Sequence, residues 1–226
     1  MASEVDIVNL ALSHIGDRAN VSSINPPEQS MQAELAARFY PIARDTLLEM
    51  HTWSFATRRD YLAQLTNTWD QWQYAYAYPQ SVAKIIAVIP PEANDDYSSR
   101  FGITNVYGIS ETYSPVVAAG HYVPQPFAVE SDSTGARIIY TNQENAICRY
   151  TTFVTDTTKF SSLFTLTLSW HLASMMAGPI IKGEVGAAEA GRCTKMMVGF
   201  LSQAKMSDSD QRDSKPEHIV QWVAGR

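Results

Sequence analysis

Cysteine, positive charge and long charge-free runs are all scarce in this chain, and each scarcity narrows what it can be. Its two cysteines, Cys148 and Cys193, allow at most one bridge; 45 residues apart, they read as two buried thiols, with a single disulfide as the alternative. Lysine and arginine number 17 against 23 aspartates and glutamates, a net charge of −6, so the totals predict no basic face for gripping nucleic acid. A weakly acidic surface suits a soluble protein, or a wall past which a polyanion slides without sticking. The five histidines, His14, His51, His121, His171 and His218, include no pair at the spacing of a helical zinc site, so neither metal nor cofactor is expected. No nucleophile elbow or Ser-x-x-Lys motif occurs, and Gly183-x-x-Gly186 lacks the lysine and preceding strand of a phosphate loop. No catalytic residue is therefore expected.

One stretch, Phe160 to Ile181, runs 22 residues without a charged side chain. That length would reach across a bilayer. Its serines and threonines, His171 and the Gly178-Pro179 pair are costly in lipid but not between protein neighbours, so a buried helix is expected, with His171 as a hydrogen-bonded core histidine. The first residues, Met1 to Asp6, are acidic and hold no hydrophobic segment, which predicts no signal peptide.

What is present is enough apolar material for a real core: 45% hydrophobic residues over 226, room for one large domain or two small ones. Ser3-x-x-Asp6 predicts a capping-box helix start, with Val5, Val8, Leu12 and Ile15 on one face and Gly16 as its stop. Asp17 to Asn25 reads as a polar loop. Asn25-Pro26-Pro27-Glu28 predicts the opening of a longer helix whose apolar face is Met31, Leu35, Phe39, Ile42, Leu47 and Met50. Pro41 either splits that helix or bends it.

From Trp69 to Thr155 prolines punctuate short β-rich runs: Val82 to Ile89, Phe101 to Tyr107, Phe127 to Glu130, Ala136 to Thr141 and Ala146 to Val154, with a turn at Ser131 to Gly135. Tyr74, Tyr76 and Tyr78 would share one strand face, as core, a protein interface or a sugar-stacking surface. Helix returns near Phe160 and again over about Ile180 to Met206, where Gly183, Gly186, Ala187, Ala188, Ala190 and Gly191 predict close packing on another helix, of the same subunit or the next. Ser207 to Lys215 is polar and precedes an apolar tag of Ile219, Val220, Trp222 and Val223. The expected architecture is α+β: a helical bundle body (1–68 and 157–206), an inserted antiparallel β subdomain (69–156) and an extended, flexible C-terminal arm (207–226).

Asp45 and Glu49, four apart on the second helix, read as a solvated face rather than an acid–base pair. Arg58-Arg59, flanked by Trp53, Phe55 and Tyr61, reads as a helix-to-strand corner with the arginines pairing nearby carboxylates, in preference to a basic-aromatic nucleic-acid patch.

Several segments resemble, in order, the head-to-tail adaptor proteins of short-tailed bacteriophages, also called tail tubular protein A or head completion proteins. They are Asn9 to Gly16, Tyr40 to Glu49, His51 to Ala63, Trp72 to Pro79, Ile138 to Asn142, Arg149-Tyr150, Phe164 with Leu172-Ala173, and the ending Trp222-Val223-Ala224-Gly225-Arg226. Trp53 to Arg59 is the most specific of these. Asn94 to Pro126 and Gly183 to Gly191 depart from the family pattern.

The resemblance implies a non-enzymatic, structural virion protein: a homo-oligomeric ring, a dodecamer in known members, beneath the portal protein. Such a ring extends the channel through which double-stranded DNA passes without sequence-specific binding, and presents a platform for the tail nozzle protein. It implies assembly in the host cytoplasm, a final place at the head-tail junction, and no membrane partner. Tyr40, Arg44, Trp53, Phe55, Arg58 and Arg59 would be the structural signature. Ile219, Val220, Trp222, Val223 and Arg226 would be the arm that binds the portal. The competing expectations are a tail-associated enzyme degrading polysaccharide or peptidoglycan, and a packaging protein that grips DNA in a salt-dependent way.

Overall fold

The computed structural model describes residues 2–18, 20–91 and 125–211, and shows an α+β fold. Helices α1 (Glu4–His14), α2 (Met31–Met50), α3 (Ser162–Ile181) and α4 (Gly183–Ser209) accompany seven strands: β1 (Thr57–Tyr61), β2 (Gln64–Leu65), β3 (Tyr74–Ala77), β4 (Val82–Ile89), β5 (Phe127–Ser131), β6 (Arg137–Thr141) and β7 (Ile147–Thr152). The chain divides into two compact units, one of Met1–Thr57 with Thr151–Gln211 and one built on Arg58–Tyr150.

In the helical unit, α3 packs against α1, α2 and α4. The α1 start is as the sequence predicts, Ser3 and Asp6 capping each other's backbone amides. Its end is a Schellman motif: the Gly16 amide donates to the Ser13 carbonyl (3.2 Å), the Asp17 amide to Leu12 (3.0 Å), and Gly16 takes φ +76°. The loop that follows is tied down by Asn9, whose side-chain amide donates to the Val21 carbonyl (2.9 Å) and accepts from the Val21 amide (3.0 Å).

The start of α2 differs from the expectation. Ser30, not Asn25, is the N-cap, its hydroxyl accepting from the Ala33 amide at 3.2 Å. Glu28 is engaged with Ser22, whose amide it binds at 3.1 Å, so residues 25–28 fold as a turn ahead of the helix. The buried face also differs: it is Ala33, Ala36, Tyr40, Ala43, Leu47 and Leu48, while Met31, Ile42 and Met50 are exposed. Steps of 3, 4, 3 and 4 from Ala33 to Leu47 put small side chains inward, where they admit close approach to the neighbouring helix. Pro41 does not split α2, which runs unbroken from Met31 to Met50.

α3 is the buried helix expected, with Phe164, Leu168, Leu172, Ala173, Met176 and Ala177 in the core. No helix among the described residues is long and apolar enough to cross a membrane. At Lys182 and Gly183 the backbone turns to φ +62° and +64°, and α4 begins. The close packing expected of the α4 glycines falls on one of them. A Cβ on Gly186 would lie 3.2 Å from the Ala177 carbonyl oxygen of α3, whereas Gly191 and Gly199 have nothing within 4 Å.

α4 also corrects the proposed arm. Ser207 to Ser209 are helical rather than part of a flexible linker, and Asp208 is 6% exposed.

The β unit holds a three-stranded sheet of order β1-β7-β4 and an antiparallel four-stranded sheet of order β2-β3-β6-β5. The runs expected around β4, β5, β6 and β7 are strands, and the β5–β6 turn is closed by Asp132, whose carboxylate accepts from the Thr134 and Ala136 amides at 2.8 and 2.9 Å. Strand structure begins at Thr57, upstream of the expected boundary at Trp69, because β1 and β2 each complete a sheet. The run Phe101 to Tyr107 lies outside the described residues. Tyr76 fills the centre of this unit's core, with Tyr74 and Tyr78 packed against it.

Candidate functional site

The signature residues do not converge on one point. They serve three separate structures, each built by local chemistry.

Trp53 and Phe55 make an aromatic corner. The α2 helix ends at Met50, and Trp53 turns back to donate its indole N–H to the Leu47 carbonyl at 2.8 Å while fully buried. Its ring meets Phe164 of α3 edge-on (4.9 Å, 82°), and Phe55 packs on Phe160 and Phe164 at 5.7 and 5.1 Å. Edge-to-face contacts of this kind fix orientation as well as burying area.

Ser54 opens the short 3-10 turn Ser54–Ala56, so its amide lies at the start of a helical turn and needs an acceptor. Asp208, from the last turn of α4, provides it. Its carboxylate accepts from the Ser54 amide (3.0 Å) and hydroxyl (2.6 Å), and His51 Nε2 lies 3.2 Å from the other oxygen. Burial pushes the Asp208 carboxyl up, but the bonds from His51 and from the Ser54 hydroxyl and amide together hold it below its ordinary value.

A serine, a histidine and an aspartate thus meet, but in the wrong order for acyl transfer. A triad needs the imidazole between the other two, taking the serine proton. Here the serine hydroxyl instead donates its hydrogen bond to the aspartate, which ties the end of α4 to the corner.

Tyr40 and Arg44, one turn apart on α2, line a pocket of about 460 Å³ with Glu4, Asn25 and Thr155. The Arg44 Nε donates to Asp45 at 2.8 Å, and Glu49 one turn on is exposed. Tyr40 is 2% exposed and its hydroxyl has no partner among the described residues. Burial, then the Glu4 charge, push its phenol well above the usual range against a smaller opposing pull from Arg44, so it stays neutral.

Arg58 and Arg59 stand exposed on β1. Beside them, Asp60 accepts from the Tyr150 hydroxyl at 2.5 Å, and burial with that bond pushes the Tyr150 phenol up to about 12. Cys148, pushed up to about 12 chiefly by burial, is an inert thiol, and Cys193 is free and buried as well.

A fourth cluster was invisible in the sequence. His14 stacks on Trp170 (3.6 Å, 7°), Arg192 lies over the same indole at 5.3 Å, and an Arg192 Nη donates to the His14 carbonyl at 2.7 Å. Glu189 holds the guanidinium. His14 Nε2 is 3.0 Å from Ser169 Oγ, but that hydroxyl already donates to the Leu166 carbonyl at 2.8 Å, so the imidazole donates at this contact and does not take the serine proton. His171 departs from expectation: neither of its ring nitrogens has a partner among the described residues. No group of three potential metal ligands occurs among those residues either.

The arm residues Ile219, Val220, Trp222, Val223 and Arg226 lie outside the described residues. No protein-family model matches this chain, and no curated protein matches it. What sequence reasoning missed, above all Asp208 and Arg192, is polar and meets its partners 154 and 178 residues away.

Proposed function

We propose that this chain is a structural head-to-tail adaptor of a short-tailed bacteriophage, without catalytic activity. It forms a homo-oligomeric ring beneath the portal protein, a dodecamer as in known members of the family it resembles. Double-stranded DNA passes through the ring without sequence-specific contacts, and the tail nozzle protein attaches below. It assembles in the host cytoplasm and resides at the head-tail junction of the virion.

One observation carries the reading: the block with the most specific resemblance, Trp53 to Arg59, is invested in architecture. Trp53 is core, Phe55 packs half-buried against it, and the amide and hydroxyl of Ser54 both donate to Asp208. The tie also fixes the last turn of α4, ahead of the arm residues, to the corner that follows α2. The stranded apolar residues Ile219, Trp222 and Val223 then suit docking in a groove on the portal, with ordering of the arm paid at that moment.

The test is removal of residues 216–226. The truncated chain should keep its fold by circular dichroism and lose stable attachment to purified portal rings. Attachment equal to that of the full chain overturns the role given to the arm.

A further inference from the structure

Beyond the portal contact, the outward faces of α2 and α4 carry a matched pattern. Both helices pack on α3, and each leaves its other face exposed. On α2 that face holds Arg38 and Glu49, eleven residues or three turns apart, with Ile42 between them 53% exposed. On α4 it holds Glu184 and Lys195, also eleven residues apart, with the signs exchanged and the small Ala188 between. Among the described residues none of these four charges has an ion-pair partner.

Laid parallel and in register, the two faces place Arg38 on Glu184, Ile42 on Ala188 and Glu49 on Lys195. An antiparallel arrangement cannot satisfy both charge pairs. Side chains three or four residues apart share a helical face, so all three pairs lie along one seam. A large apolar side chain over a small one lets the helices approach closely.

We propose that α2 of one copy docks parallel along the outer face of α4 of a second copy through these three pairs. The contact is heterologous, using two different faces of each subunit, and so propagates from copy to copy rather than closing a two-fold dimer. It deepens the ring reading above and rests on it for its setting. Trapping the contact needs no portal, and portal attachment is scored separately by the arm truncation, so the two ideas fail independently.

The experiment mixes full-length Ile42→Cys chains with full-length Ala188→Cys chains in a glutathione redox buffer. Both native cysteines are buried and serve as the background in unsubstituted chains. The mixture should yield a disulfide-linked heterodimer well above the yield of either variant alone. Adding Arg38→Glu to the first chain should lower that yield about fivefold through like-charge contact, and adding Glu184→Arg to the second should restore it. All substituted positions are exposed, and circular dichroism checks that each variant folds. A mixed yield no higher than that of the separate variants, or a yield indifferent to the charge exchange, overturns the proposal.

Discussion

The carboxylate of Asp208 accepts both the backbone amide and the hydroxyl of Ser54, at 3.0 and 2.6 Å, joining the last turn of α4 to the corner that follows α2. Two positions 154 residues apart thus share one cap. Removing it leaves a backbone donor at the start of a 3-10 turn without its acceptor.

Asp208→Ala should therefore destabilise the helical unit by about 2 kcal/mol, the scale of losing hydrogen bonds to a charged group. The pH dependence has a definite sign. The folded carboxyl is held below its unfolded value, so its contribution is present in full above about pH 4 and is lost as pH falls through the folded value. Chemical denaturation at pH 7 and pH 3 reads both: the difference between wild type and variant should shrink at the lower pH. An equal difference at both would contradict the assignment.

The His171 ring is buried with no hydrogen-bond partner among the described residues, and burial holds its imidazole below the ordinary range. His14 is held down by burial first and by the Arg192 charge second. The unfolded chain therefore takes up these protons first. Their cost to stability is absent above about pH 6.5 and grows as pH drops from there through the folded values. His171→Leu removes an unsatisfied polar group of similar size, and should raise stability by about 1 kcal/mol at neutral pH while flattening part of the loss between pH 7.5 and 5.5. Thermal melts at the two pH values check this; an unchanged slope would sink it.

Two glycines of α4 separate packing from propensity. At Gly199, with nothing within 4 Å, alanine should stabilise the helix by about 1 kcal/mol. At Gly186 the same substitution presses a methyl 3.2 Å from a main-chain carbonyl that has little freedom to yield, so the melting temperature should fall. Opposite signs are expected in parallel melts, and a gain at both positions would show that the α3–α4 contact is looser than the structure has it.

The contrast between what the sequence reveals and what it hides follows from where each signal resides. The α1 caps and strands β4 to β7 were legible because their determinants are local: Ser3 with Asp6, Gly16, alternating β-branched runs, the Asp132 turn. The α2 face was misread because size misled. Met31, Ile42 and Met50 are the large apolar residues, yet alanines with Tyr40 and Leu47 face inward. β1 was not placed because Arg58-Arg59 read as a helix-to-strand corner, although a strand can carry them outward. Asp208 lies in a serine-aspartate run that looks fully solvated, and nothing within that run points to Ser54.

The central claim is that the chain completes a portal. Electron microscopy of the purified protein incubated with portal rings tests it most directly. The account predicts class averages with an added ring of subunits coaxial with the portal. Portal rings that remain bare, together with turnover of capsular polysaccharide or peptidoglycan by the purified chain, would contradict it.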